Sequence, residues 1–316
     1  MIRQFTQDSN LSFFVNQLDA FDPKLNMPLF STTWGRDITL RGGISLLNES
    51  ASFTRNAFAA PGSQSADGLP WLSATGTVLP TVEVDSERVV QPVRFLGREI
   101  GYTDVELMRS QQLGQPLDVA RLDAMNSTYQ METDQIIYTG SATTGQAGLL
   151  NSPDVSVGSV PNGAGGSPLW LNKTPDEILA DVNEALAAAW LSSAYAVVPS
   201  KLLLPPAQYT YLVSQKVSNA GNMSTLKFIQ ENSITLQNNG QVLDIQPVKW
   251  LAGRGVGGAD RMVVYTNDNQ FLRFVMVPPQ RKTAYVHGLR YIAPYMWAYG
   301  QIEFIYPETL LYRDGI

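Results

Sequence analysis

The stretch from Gly101 to Asn151, GYTDVELMRSQQLGQPLDVARLDAMNSTYQMETDQIIYTGSATTGQAGLLN, constrains the fold more than any other part of the chain. Pro116 marks a helix start, because its fixed φ suits the first helical position and its missing N–H costs nothing there. Asp118 sits near the positive end of the helix dipole. Leu122, Met125, Tyr129 and Ile136 fall at helical spacings, with Glu132 as the polar interruption. Thr139-Gly140 supplies the stop. The expectation is one long helix over residues 116–138. It is entered from a strand end near Tyr102 and left through a Gly-rich loop closing on Gly148-Leu149-Leu150-Asn151.

A second helix starts at Thr174-Pro175-Asp176-Glu177: an N-cap threonine, proline at the first helical position, and glutamate three residues after the cap. Ile178, Val182, Ala185, Leu186, Ala189 and Trp190 then form one apolar stripe. Between the two helices, residues 139–170 include GSVPNGAGGSP and read as an exposed excursion. Ala194–Leu204 reads as a buried strand, and Pro205-Pro206 opens a third helix through Tyr209, Leu212 and Val213. From about Asn232 onward the chain reads as mostly strand, with runs at Ile245–Leu251, Arg261–Thr266, Phe271–Val277 and Tyr291–Ile305.

Ahead of the long helix, residues 1–50 form an arm whose apolar patch is Leu11, Phe13, Phe14, Val15, Leu18 and Phe21. That patch docks either on the chain's own core or on a neighbouring subunit. Residues 51–76 read as extended loop, rich in Ala, Ser and Gly. Thr77–Asp85 and Arg88–Tyr102 then form a hairpin-like pair about Ser86-Glu87. Pro80 and Pro92 keep this pair out of the middle of a sheet. Glu83 and Asp85 share a face, since residues two apart on a strand point the same way. The element order is mixed α+β.

Bulk properties narrow the function. Charged residues make up 16% of the 316, below the ~25% of ordinary soluble domains, which fits a surface partly covered by neighbours. The net charge of −6 carries no global basic footprint for nucleic acid. The absence of cysteine removes disulfides, thiol nucleophiles and thiolate metal sites together. The first residues lack the apolar core of a signal peptide, and no run approaches the ~18 apolar residues of a membrane span. The expectation is a soluble protein made in a cytoplasm.

Few motifs carry chemistry. Gly253-Arg254-Gly255-Val256-Gly257-Gly258 matches the spacing of a dinucleotide-binding loop, but a strand pattern follows it, and such a site needs a helix N-terminus for the pyrophosphate. The single histidine, His287, has no nucleophile-elbow motif to serve. It reads as a strand-end residue in a packed or interface position. No acidic cluster has calcium-loop spacing. Arg254, Arg261, Arg273, Arg281, Lys282 and Arg290 concentrate in the last third, where they face solvent, a neighbour's acidic surface, or nucleic acid. No catalytic, cofactor-binding or metal site is expected.

This order of elements resembles that of the major capsid proteins of tailed phages, with the Hong Kong 97 fold. YTGSATTGQAGLLNSP is similar to the family's exit from its long spine helix. EIGYTDVELMR, at Glu99–Arg109, is similar to the segment that starts its peripheral domain. Val197-Val198-Pro199 followed by a helix at Gln208–Ser214 is similar to its axial-domain strand and helix. The resemblance implies an N-terminal arm at 1–50 and an extended hairpin, the E-loop, at 51–98. It implies a peripheral domain at 99–194 and 286–316 with the spine helix at 116–138, and an axial domain at 195–285.

The implied function is a structural shell that self-assembles as hexamers and pentamers of an icosahedral head around double-stranded DNA. The DNA is enclosed without sequence-specific binding. The particle assembles in a bacterial host's cytoplasm, with scaffolding, portal or decoration proteins as possible partners. The alternatives are an encapsulin-type compartment on the same fold, a nucleotide-binding enzyme using Gly253–Gly258, and a β-rich tail or decoration protein. Residues expected at subunit interfaces are Phe13, Phe14, Trp71, Val82, Val84, Arg88, Arg254 and Arg281. Some relatives cross-link a hairpin lysine to a neighbour. Residues 51–98 contain no lysine, so no such cross-link is expected. The chain also starts almost directly at the arm, so a separate scaffold, earlier proteolysis or unaided assembly is expected.

Overall fold

The computed structural model describes residues 29–59, 82–106, 108, 117–218 and 223–316. The apolar patch containing Phe13 and Phe14, and Trp71, lie outside these residues. In chain order the first elements are α1 (Trp34–Asp37), β1 (Leu40–Arg41), β2 (Ser50–Ala59), β3 (Glu83–Pro92), β4 (Arg94–Thr103) and α2 (Leu117–Thr139). Next come β5 (Ser156–Ser159), α3 (Pro175–Ser192), β6 (Lys201–Leu204), α4 (Pro206–Ser214), α5 (Thr225–Asn232) and α6 (Ile234–Asn239). The rest is strand: β7 (Asp244–Pro247), β8 (Arg261–Tyr265), β9 (Leu272–Arg281), β10 (Tyr285–His287), β11 (Arg290–Phe304) and β12 (Leu311–Asp314).

The long helix ends where the sequence places its stop. Gly140 adopts φ 68°, a left-handed conformation that glycine reaches without a side-chain penalty. The loop then folds back on the helix end. Leu149 N donates to Ile137 O at 2.8 Å and Leu150 N to Tyr138 O at 3.1 Å. Asn151 Nδ2 donates to Thr139 O at 2.9 Å. The last carbonyls of a helix have no partner within it, and Gly148-Leu149-Leu150-Asn151 supplies three. Leu149 and Leu150 are fully buried in the same step.

The helix's inner face differs from the expected stripe. Met125, Tyr129, Thr133, Asp134, Ile137 and Tyr138 are buried, while Leu122 is exposed and Ile136 only partly covered. The polar members are satisfied. Asp134 accepts from Thr33 N at 2.8 Å and Trp250 Nε1 at 2.7 Å. Thr133 Oγ1 donates to Tyr129 O and pairs with the Tyr299 hydroxyl, each at 2.8 Å.

Two five-stranded sheets organise the chain. The first runs β1-β9-β11-β10, with β4 on the other side of β11. The second runs β5-β12-β8-β6-β7. All five residues of β8 are buried, and strand periodicity divides them between two cores. Val263 and Tyr265 face the core shared with α2 and the first sheet; Met262 and Val264 face the core under α3. Leu203 against Leu202 and Leu204 repeats this on β6. α3 carries the expected capping box at Thr174 and Glu177. It buries Ile178, Val182, Ala185, Leu186 and Ala189, with Trp190 at the rim.

Four expectations need correction. Ser86-Glu87 is not a turn: β3 runs straight through it and pairs with β2, Ser50 opposite Pro92 and Ala59 opposite Glu83. Residues 50–59 are therefore strand, because a non-local partner supplies their ladder. Residues 139–170 are not an excursion: β5 pairs in parallel with β12, and Val155 and Val160 are buried. The chain near Asn232 is helical, since Ser224 and Ser233 cap α5 and α6.

The domain limits expected at 194/195 and 285/286 cut across these sheets. β12 sits between β5 and β8, and α3 packs on β8 and β12. Of the expected arm, Leu40 and Arg41 pair with Phe274 and Val275, and Ile38 joins the main core.

Candidate subunit interface

The β2–β3 hairpin is rooted on the far end of β11. Gln91 Nε2 donates to Ile302 O at 3.4 Å and Arg55 Nη2 to Phe304 O at 2.5 Å. Beneath it, buried Glu303 accepts from Arg273 Nε at 2.5 Å and from Arg41, whose other amino group reaches Ser52 O at 3.1 Å. Ala51 and Val93 pack with Val275, Val277 and Ala298. Beyond this root β3 stands in solvent. A two-stranded ribbon is marginal on its own, so its distal half is a surface in want of a cover.

Val82 and Val84 are 68% and 64% exposed. Arg88, on the same face as Val84, holds its guanidinium 3.1–3.2 Å from Ser52 Oγ. On the opposite face lie Glu83, Asp85 and Glu87, with Glu87 opposite Arg55. Sequence reasoning paired Glu83 with Asp85 but missed Glu87, because a turn was placed at that point. A groove of about 420 Å³ separates this acidic face from Ile305, Tyr306, Pro307 and Glu308.

The opposite end of the first sheet carries the other charges. Arg281 ends β9 opposite Tyr295, and Arg290 starts β11 opposite Thr103 and His287. Arg281, Lys282, His287 and Arg290 are exposed, as are Tyr285, Val286, Leu289 and Tyr291. Glu106 beside them is already committed. The Thr103 N–H first, and then Arg121, hold its carboxyl down at about 2. Of the six basic residues singled out, Arg261 and Arg273 face inward, paired with Asp314 and Glu303.

The Gly253–Gly258 loop has no helix behind it; β8 follows. Its amides serve the chain's own carboxylates. Val256 N donates to Asp314 Oδ2 at 2.9 Å and Gly253 N to Asp260 Oδ1 at 2.8 Å. A Cβ on Gly255 would stand 2.8 Å from Asp314 Cγ, so that glycine is there to admit a carboxylate from within. The loop offers no phosphate cradle. Exposed Arg254 projects from it. The structure thus places Val82, Val84 and Arg88 together on the hairpin, Arg281 at the far end of the sheet, and Arg254 on a separate loop. Among the described residues no group of three or more His, Asp or Glu has the geometry of a metal site, and no helix is long and apolar enough to cross a membrane.

The comparisons agree with this architecture. The chain is similar to the capsid of Myoviridae phage XM1 at 16% identity and a TM-score of 0.73, covering 95% of this chain and 98% of that one. It is similar to the capsid of the native GTA particle at 10% identity and a TM-score of 0.60, covering 98% and 99%. A virus-like particle from Pyrococcus furiosus matches at 14% identity and a TM-score of 0.50, covering 88% and 91%. No curated protein sequence matches. These likenesses define the class: an α+β capsid fold of the Hong Kong 97 type. A family model described as major capsid protein also matches residues 69–316. The chain belongs to that major capsid protein family, and its role is that of a structural shell protein.

Proposed function

We propose that this chain is the coat subunit of an icosahedral tailed-phage head, assembling as hexamers and pentamers around double-stranded DNA in the host bacterial cytoplasm. The observation that carries the reading is the family match over residues 69–316. In this reading the β2–β3 hairpin is the extended loop that lies on a neighbouring subunit. The first sheet with α2 is the peripheral body. The second sheet with α3 to α6 is the axial body, a reading supported by the one sheet that β5, β12, β8, β6 and β7 share. The net charge of −6 favours DNA enclosed without sequence-specific binding. Val82, Val84, Arg88, Arg254 and Arg281 are contact residues, alongside Phe13, Phe14 and Trp71. Scaffolding, portal and decoration proteins are further partners.

A second reading, an encapsulin-type compartment filled with protein cargo, draws on the likeness to the Pyrococcus furiosus particle. Negative-stain electron microscopy of the purified protein, beside size-exclusion chromatography, tests both. Closed shells, tubes or capsomer rings support the shell reading, and nuclease-protected DNA against packaged protein separates its two forms. A chain that stays monomeric at every concentration, with or without its phage's scaffolding protein, overturns both.

A further inference from the structure

Two sets of unpaired charges stand at opposite ends of one long blade. At the hairpin end, Glu83, Asp85 and Glu87 occupy alternate positions of β3 and so share a face. Glu308 lies across the groove from Asp85 and Glu87. Among the described residues none of these four carboxylates has a cation within ion-pair distance. Among the described residues Arg55, opposite Glu87, is the cation of the facing strand, and its Nη2 donates to Phe304 O. Nor do they form a metal site. The cation that fits is one delivered on a side chain.

At the other end Arg281, Lys282 and Arg290 likewise have no carboxylate within ion-pair distance among the described residues. Glu99, which accepts from the Tyr285 hydroxyl at 3.4 Å, and Asp104 are the acids nearby in register, and they leave this end net positive. Exposed Val286, Leu289 and Tyr291 give it apolar surface to bury.

The two ends of one copy cannot meet. β3 and β4 form an almost unbroken extended run, and β4 is fixed along β11 from Arg94 opposite Tyr299 to Thr103 opposite Arg290. At about 3.3 Å per residue, Glu83 stands roughly 65 Å from the Arg290 end. Complementary patches that a rigid body cannot bring together within itself are suited to a head-to-tail contact between copies.

We propose that the groove between the acidic hairpin face and residues 305–308 receives the basic β9–β11 end of a second copy. This rests on the shell reading and names the surfaces one of its joints uses.

The test is charge reversal in the full chain. E83K/D85K/E87K and R281E/K282E/R290E alter exposed side chains only, so both variants should stay folded, the first with a melt lowered only by the loss of the Glu87 charge opposite Arg55. Each alone places like charges across the joint and should cut shell yield at least about tenfold. The six-fold variant restores opposite signs and should recover assembly. Sedimentation velocity at low and high salt is run beside microscopy, with the single changes Asp85→Lys and Lys282→Glu and their combination as a milder set. Wild-type yield from either triple variant, or no recovery on combining, overturns the joint while leaving the shell reading intact. Salt-sensitive wild-type oligomers that form no shells, tubes or capsomer rings, with or without scaffolding protein, but show rescue on combination keep the joint and sink the shell reading. A wild type that stays monomeric at low salt and at every concentration, with or without its phage's scaffolding protein, removes both.

Discussion

Arg261 and Asp314 form a two-point ion pair in the second sheet, Nε to Oδ1 at 2.6 Å and Nη2 to Oδ2 at 2.9 Å. Both side chains are almost fully buried, and they face each other across the β8–β12 ladder. Arg261 Nη1 also reaches Leu150 O at 2.7 Å, and Asp314 takes the Val256 amide. One pair therefore ties the loop after the long helix, the glycine loop and β12 together. Removing one member strands a buried charge, which costs about 3–5 kcal/mol. Arg261→Met and Asp314→Asn should each lower stability by that order in urea unfolding. The double variant should lose less than the sum of the two. Single losses under about 1 kcal/mol would mean that water reaches the pair.

Two glycines of the helix-exit loop separate space from conformation. A Cβ on Gly140 would meet the backbone at Gln146 and Gly148, whereas one on Gly145, at nearly the same φ, meets nothing within 4 Å. Gly145→Ala should cost only the left-handed penalty of about 1 kcal/mol. Gly140→Ala should cost well beyond that, because backbone must move. Equal losses in thermal melts would refute the close packing of this exit.

Alkaline pH should weaken the fold. Burial raises the phenols of Tyr138, Tyr265, Tyr299 and Tyr312, and the charge of Asp37 adds to this at Tyr138 and Tyr265. A raised pKa means that the folded chain holds its proton longer than the unfolded one. The stability linked to these groups is complete below about pH 10, the unfolded value, and falls as pH climbs past it. Urea midpoints should therefore drop between about pH 9 and pH 11, with tyrosinate absorbance appearing on unfolding. A flat midpoint over that range counts against burial of the four rings.

The cap of α3 works at the acid limb. Glu177 accepts from Ala164 N at 2.6 Å and Thr174 N at 2.7 Å, and these amides lower its pKa, Ala164 first. A lowered pKa gives stability that is present above the unfolded value of about 4.3 and lost as pH falls below it. Glu177→Gln should flatten the acid limb of the stability profile. Thr174→Ala should cost about 1 kcal/mol at neutral pH. An unchanged acid limb in Glu177→Gln would assign the loss to other carboxylates.

On the hairpin, Val84→Asp changes an exposed side chain and should leave the melt unaltered while impairing assembly. Trp71→Asp is expected to do the same. Normal particles from both would remove the hairpin from the assembly surface.

How much was legible follows from the range of the signals. α2 and α3 were readable because helix spacing and caps are local. The Gly-Leu-Leu-Asn exit was readable as a motif, although its work on the helix carbonyls needed coordinates. α5 and α6 were missed even though Ser224 and Ser233 are caps in plain view, because Val, Ile and Tyr further on drew the reading toward strand. β2 was missed because its partner lies across a long connection, and with it went the third acid of the hairpin face. The burial of Asp134 was not legible, because a polar residue on a buried stripe can be placed only once its partners, Trp34 and Trp250 among them, are known.

The position of β12 has a consequence for the order of events in the cell. It is the last strand of its sheet in sequence, yet it fills the gap between β5 and β8. Without residues 311–314 the sheet would fall into two parts, β5 and the β8-β6-β7 group, and the two flanking cores would lose Tyr312 and Leu311. A nascent subunit thus lacks a finished body for any neighbour to dock on. Strand order makes the closing of both cores wait on the latest-made strand of this sheet.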